Sequence, residues 1–154
     1  MNQNGNPAGR EFVGGAGMKS TLLVIGGETS FSPLLADYSL GLAKRMGYSI
    51  LAVNLLEADK RKIHYLKGES GKSEMENFHR AASMSASEFG IMAKAEGAPF
   101  RADCAVGRLD DIAREISERE GNIDLILVEP DYLFEEDQEH LSIPAFIFSG
   151  SGQR

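Results

Sequence analysis

Tryptophan is absent from this 154-residue chain, cysteine occurs once, and proline only five times. A lone thiol, Cys104, cannot close an internal disulfide, so nothing implies an oxidising compartment. No apolar run approaches the roughly 18 residues of a helical membrane span, which argues against membrane insertion. The opening stretch MNQNGNPAGREFVGGAG lacks the apolar centre of a secretory signal, and a cytoplasmic location is expected. Basic charge is also scarce. Sixteen Lys and Arg against 23 Asp and Glu leave a net charge of −7, without the basic footprint of a nucleic-acid binder.

The chain length suits one domain that buries enough surface to fold without metal or disulfide. The hydrophobic share of 42% is that of a globular protein. Residues 1–17, rich in Asn and Gly and short of large apolar side chains, read as a disordered tail. Residues 18–149 read as the folded domain and 150–154 as a C-terminal tail.

Thr21-Leu22-Leu23-Val24-Ile25, ending at Gly26-Gly27, suits a strand buried on both faces. Ser32 and Pro33 then mark a helix start. Leu35, Tyr38, Leu42 and Met46 recur at helical spacing before a basic last turn and Gly47. Tyr48 to Leu56 reads as a second strand, which makes a right-handed βαβ unit. Residues 57–72 read as a solvated connection, and a long helix follows from Ser73 to about Glu96. Its apolar face is Met75, Phe78, Ala82, Ala86, Phe89 and Ala93. Pro99 to Val106 is a third strand, and a short helix then carries Leu109, Ile112, Ala113 and Ile116. Ile123 to Val128 is a fourth strand and Ile143 to Phe148 a fifth. The expected fold class is α/β, an open, mostly parallel five-stranded sheet with helices on both faces.

This order of segments resembles the universal stress protein family over roughly residues 19–148. The resemblance rests on STLLVIGGETSFSPLLADYSLGLAKRMGYSILAVNLL at the start, Val106-Gly107-Arg108-Leu109-Asp110-Asp111-Ile112, and Asn122 to Val128. Ser142-Ile143-Pro144-Ala145-Phe146-Ile147-Phe148 completes it. Order and spacing together are more specific than any one segment. The resemblance implies a Rossmann-like fold and a homodimer formed through the last strand, with Ile143, Ala145, Phe146, Ile147 and Phe148 at the interface. A terminal apolar strand leaves N–H and C=O groups unpaired and invites another chain.

Two departures bear on ligands. ATP-binding members of that family carry an acidic residue at the position of Gly26, and a G-x2-G-x9-G-[ST] phosphate loop after the fourth strand. This chain has Glu129-Pro130-Asp131-Tyr132-Leu133-Phe134 there. Pro130 has no N–H to offer, and no glycine occurs between Gly121 and Gly150. From Glu129 to Phe148 there are six acids and no Lys or Arg. Each acid costs a nearby phosphate on the order of 0.5–1 kcal/mol at about 10 Å after screening. A degenerate member without the ATP-binding glycine motif, and with no cofactor, is the expectation.

The alternative is an ATP-binding protein using the strand-end cleft at Gly26, Gly27 and Gly107, or a phosphate loop at Gly68, Gly71, Lys72 and Ser73. Gly68-Glu69-Ser70-Gly71-Lys72-Ser73 resembles the end of a Walker A loop, whose backbone amides cradle phosphate. Its leading glycine would fall on Leu66, and Lys60-Arg61-Lys62-Ile63-His64-Tyr65 is too charged for the buried strand such a loop follows. The basic residues of this stretch offer a dock for an acidic partner. Cys104 reads as a buried, inert thiol. His64, His79 and His140 lack metal-ligand spacing and read as solvated, and Glu135, Glu136, Asp137 and Glu139 lack the order of a calcium loop. No nucleophile has a base at a recognisable spacing, so neither catalytic nor metal residues are assigned. The function expected is a stress-response regulatory module acting through protein contacts, with a sensor, a transporter or another stress protein as partner. A non-catalytic subunit of a larger enzyme assembly is the third reading.

Overall fold

A computed structural model describes residues 19–129 and the backbone of 145–147. The segments 1–18, 130–144 and 148–154 lie outside the described residues. So do the expected tails, the acidic loop with Pro130 and His140, and Ile143 and Phe148.

Four strands of six to nine residues carry the sheet: β1 (Thr21–Gly26), β2 (Ser49–Glu57), β3 (Phe100–Gly107) and β4 (Ile123–Val128). A three-residue strand, β5 (Ala145–Ile147), adds to one edge. The order is β3-β2-β1-β4-β5, and every pairing is parallel. Strands β1 and β2 are buried on both faces, as their continuous apolar runs require.

Helix α1 (Pro33–Met46) begins where Ser32 accepts the N–H of Leu35 and ends on Gly47, whose φ of 74° supplies the left-handed stop. Helix α3 (Lys72–Ala95) joins α1 on one face. There Leu22, Val24, Ile50 and Ala52 meet Leu35, Leu40, Phe89 and Ala93. Helix α4 (Leu109–Glu120) covers the opposite face, packing Leu109, Ala113 and Ile116 on Leu23, Ile25, Leu51 and Val53. The β1–β4 neighbourhood is the topological switch, where chain order reverses and where open α/β sheets place their ligand crevice, outside the strands' carboxyl ends.

The structure corrects two expectations. Residues 57–72 are mostly exposed, but the connection is helical. Lys60–Lys67 forms a helix, α2, and Glu69–Gly71 a 3-10 turn. Asp59 caps α2 by accepting the N–H of Lys62, and Leu66 anchors it in a third apolar cluster with Leu56, Phe78 and Ala82. Helix α1 turns a different face inward. Leu35, Ala36, Ser39, Leu40 and Ala43 are buried, whereas Tyr38 is 43% exposed and Met46 59%. Leu35 and Leu40 supply the apolar bulk of the inward face, and the larger Tyr38 and Met46 are left outside.

At the β3 edge, Arg101 donates to Glu120 at 2.5 Å, Arg119 to Glu120 at 3.3 Å, and Arg119 lies 3.9 Å from Asp103. The Arg101 guanidinium holds the Glu120 carboxyl below its usual pKa, and Arg119 adds to the effect. A depressed carboxyl pKa contributes stability that is present above the unfolded value of about 4.3 and lost as pH falls through the folded value. Replacing Glu120 by Gln should therefore remove part of the stability loss below about pH 4.3, measured as urea midpoints on a pH series.

Candidate functional site

The crevice at the switch is bounded by the turn after β1, the end of β2 and the residue after β4. Glu129 follows β4 directly, and its N–H donates to the carbonyl of Ile25 at 3.0 Å. Its side chain is buried, and Oε2 accepts the N–H of Ser32 at 2.5 Å. Ser32 is the N-cap of α1, so a carboxylate of the chain itself sits where the positive end of that helix would draw an anion. The same device recurs at α4. Glu57, the last residue of β2, accepts the N–H of Leu109 at 3.2 Å. Helices α1 and α4 thus have an internal carboxylate on their first amides, as α2 has in Asp59.

Apolar bulk fills the space over Gly26. A Cβ at that position would lie within 2.3 Å of the Phe31 ring. Phe31 in turn stacks edge-on against Phe89, centroids 4.9 Å apart, and Phe89 leans on Phe100 at 5.3 Å. Gly27 closes the turn by donating to the carbonyl of Ser30 at 2.9 Å. Its own carbonyl accepts from Nδ2 of Asn54 at 2.9 Å, and the same amide reaches Ser85 at 3.3 Å. Asn54 is fully buried, and its Oδ1 has no hydrogen-bond partner among the described residues. Gly107, the third residue of the expected cleft, is not beside the other two. It ends β3, two strands from Gly26, and pairs with Glu57. Its φ of +156° is one that side-chain-bearing residues rarely adopt.

Gly68, Gly71, Lys72 and Ser73 follow a helix, not a strand. Gly71 is buried and packs on α2, where a Cβ would meet the Tyr65 carbonyl oxygen at 2.4 Å and the Leu66 Cα at 2.6 Å. The Tyr65 hydroxyl donates to the carbonyl of Ser70 at 3.1 Å. The glycine serves helix packing, and the loop folds onto α2 rather than opening around a ligand. Lys72 and Ser73 are exposed at the start of α3.

Cys104 is half-buried, not buried, and lines a shallow groove with His79, Ser83 and Ala102. Desolvation, followed by the neighbouring Asp103 charge, pushes its thiol pKa up. Such a thiol is a weak nucleophile. His64 and His79 are exposed, as expected of solvated side chains. Among the described residues no group of three His, Cys, Asp or Glu is placed to hold a metal, and no helix is long and apolar enough to cross a membrane. The carboxylates at the helix starts were not singled out from sequence. Glu129 and Ser32 lie 97 residues apart, and no local pattern joins them.

No protein-family model and no curated protein sequence matches the chain. Solved structures do. A universal stress family protein from Burkholderia pseudomallei matches with a TM-score of 0.62 at 15% identity, over 86% of this chain and 97% of that one. Universal stress protein UspA from Lactobacillus plantarum matches with 0.59 at 10% identity, over 86% and 99%. A universal stress protein solved in complex with cAMP matches with 0.58 at 17% identity, over 86% and 98%. The chain has the universal stress protein fold.

Replacing Glu129 by Ala leaves the Ser32 amide without its carboxylate and should lower stability by about 1–3 kcal/mol. The Gln variant, which retains an acceptor, should lose less. Chemical denaturation of the three proteins checks this order.

Proposed function

We propose that this protein is a universal-stress-type regulatory module that acts through protein contacts and does not bind ATP. The observation that carries this reading is the self-occupied crevice. Glu129 and Glu57 sit on the amides of α1 and α4, and the Phe31 ring covers Gly26. A triphosphate would have to displace a carboxylate from each helix start. It would also meet Glu28, Asp59 and Asp110 at the same end of the molecule, and each like charge adds repulsion. The glycine-poor, acidic composition of 129–148 supports the same conclusion.

In this reading the protein resides in the cytoplasm and forms a homodimer through the last strand, with Ile143, Ala145, Phe146, Ile147 and Phe148 at the contact. Among the described residues strand β5 ends the sheet on that side, and a terminal strand offers its outer backbone groups to a partner. The regulated partner is a sensor, a transporter or another stress protein.

A nucleotide-binding role is the second reading, and the match to a neighbour solved with cAMP favours it. Thermal melting with Mg·ATP and with cAMP separates the two. A ligand at about 100 times its dissociation constant adds roughly 2.7 kcal/mol, or about 5–10 °C in Tm for a domain of this size. The expected result is no shift at millimolar nucleotide. A shift of that size would sink the proposal.

A further inference from the structure

Among the described residues strand β3 is the last strand on the side of the sheet opposite β5, and it is eight residues long. Ile50 donates to the carbonyl of Pro99 and Ala58 to that of Gly107. The two-residue repeat of a strand then directs the odd-numbered residues of β3 toward β2. Phe100, Ala102, Cys104 and Val106 therefore turn their N–H and C=O groups outward. Consistent with this, the Cys104 N–H is met only locally, by Oδ1 of Asp103 at 2.8 Å.

A groove runs beside this edge, between β3 and α3. One part, of about 290 Å³, is lined by His79, Ser83 and Ala86 of α3 and by Ala102 and Cys104. A second part, of about 440 Å³, continues past Gly90 and Lys94 to Phe100. The helix side chains along it are mostly small, so a neighbouring strand or helix can approach closely. His79, Ser83, Ala86 and Gly90 recur at three- and four-residue spacing and therefore share the flank of α3 that faces the groove.

We propose that the β3 edge is a self-association surface, on which two copies of this chain pair antiparallel about a two-fold axis at Ala102. The charges select this register. Arg101 and Asp103 lie on the same face of β3, one on each side of Ala102. With the axis at Ala102, Arg101 of each copy faces Asp103 of the other. With the axis at Arg101 or Asp103, like charges would oppose one another, and like charges directly opposite destabilise a ladder. The Ala102 axis also places the outward-turned residues opposite each other. Phe100 meets Cys104 and Ala102 meets Ala102, for about six backbone hydrogen bonds. Asp103 then exchanges its contact with the Cys104 N–H for the guanidinium of the second copy. The two α3 helices run side by side, antiparallel, with Ser83, Ala86 and Gly90 of each on the facing flank. This contact uses the edge opposite the one assigned to the last-strand dimer and does not depend on that dimer.

The test is disulfide trapping at the axis. Residues in a hydrogen-bonded antiparallel pair have Cα atoms about 5.5 Å apart, within disulfide reach. The double variant Cys104→Ser, Ala102→Cys should therefore cross-link to a covalent dimer under mild oxidation, and the single variant Cys104→Ser should not. In sedimentation velocity, Ala102→Pro should weaken this association at least about tenfold, since it removes two hydrogen bonds at the axis. The Ala102 N–H does not serve the β2 ladder, so circular dichroism should show this variant folded. Should it be unfolded, Ser83→Arg, at an exposed position on the groove flank, should weaken association comparably.

A folded double variant that gives no cross-link overturns the proposal. So does unchanged sedimentation in the association-weakening variants, or a monomer whose Ala102 amide is protected from exchange. A dimer that persists without the Ala102 cross-link overturns this contact and leaves the last-strand reading intact. A cross-linking dimer abolished by Ala102→Pro supports this contact and removes the last-strand one.

Discussion

The carboxylate of Glu129 on the Ser32 amide joins the end of β4 to the start of α1 across the point where chain order reverses. A doubly wound sheet brings helix starts and strand ends together there, and the unsatisfied amides of the first helical turn must find an acceptor. In a ligand-binding protein that acceptor arrives from solvent. Here it comes from the polypeptide, once from Glu129 and once from Glu57. Burial of the Glu129 side chain strengthens the bond, because a charged acceptor withdrawn from water interacts more strongly with the donor it has. The rest of the crevice follows from this arrangement: the tight turn at Gly27, the Phe31 ring over Gly26 and the aromatic row leading to Phe100.

Much of the fold could be read without coordinates because its signals are local. The runs Thr21–Ile25 and Ile123–Val128 fall in strands, and the Ser32-Pro33 start and Gly47 stop bracket α1. The apolar stripe Phe78, Ala82, Phe89, Ala93 is the buried face of α3. Where tertiary context decides, the pattern misleads. Helix α2 carries Lys60, Arg61, Lys62, His64 and Lys67, with only Ile63 and Leu66 as larger aliphatic side chains. Its helicity depends on the Asp59 cap and on a pocket formed by residues far along the chain. Tyr38 and Met46 keep helical spacing yet face water, since spacing alone does not say which of two adjacent stripes meets the sheet.

The candidate site was less legible than the fold. The lack of glycine between Gly121 and Gly150 and the run of acids from Glu129 are matters of composition, read directly from the sequence. What occupies the helix starts depends on contacts between segments about 50 and 100 residues apart. The Walker-like Gly68–Ser73 stretch shows the converse. Gly71 and Lys72 look like a phosphate cradle in one dimension, but the glycine is there because α2 leaves no room for a Cβ.

The packing at Gly26 also limits how this interior can change. A side chain at residue 26 would run into the Phe31 ring, and a smaller residue at 31 would leave Phe89 without its edge-on neighbour. A substitution at one position alone therefore leaves the interior either overcrowded or hollow, and only a paired change keeps it filled. Two sites five residues apart in sequence thus behave, toward mutation, as one.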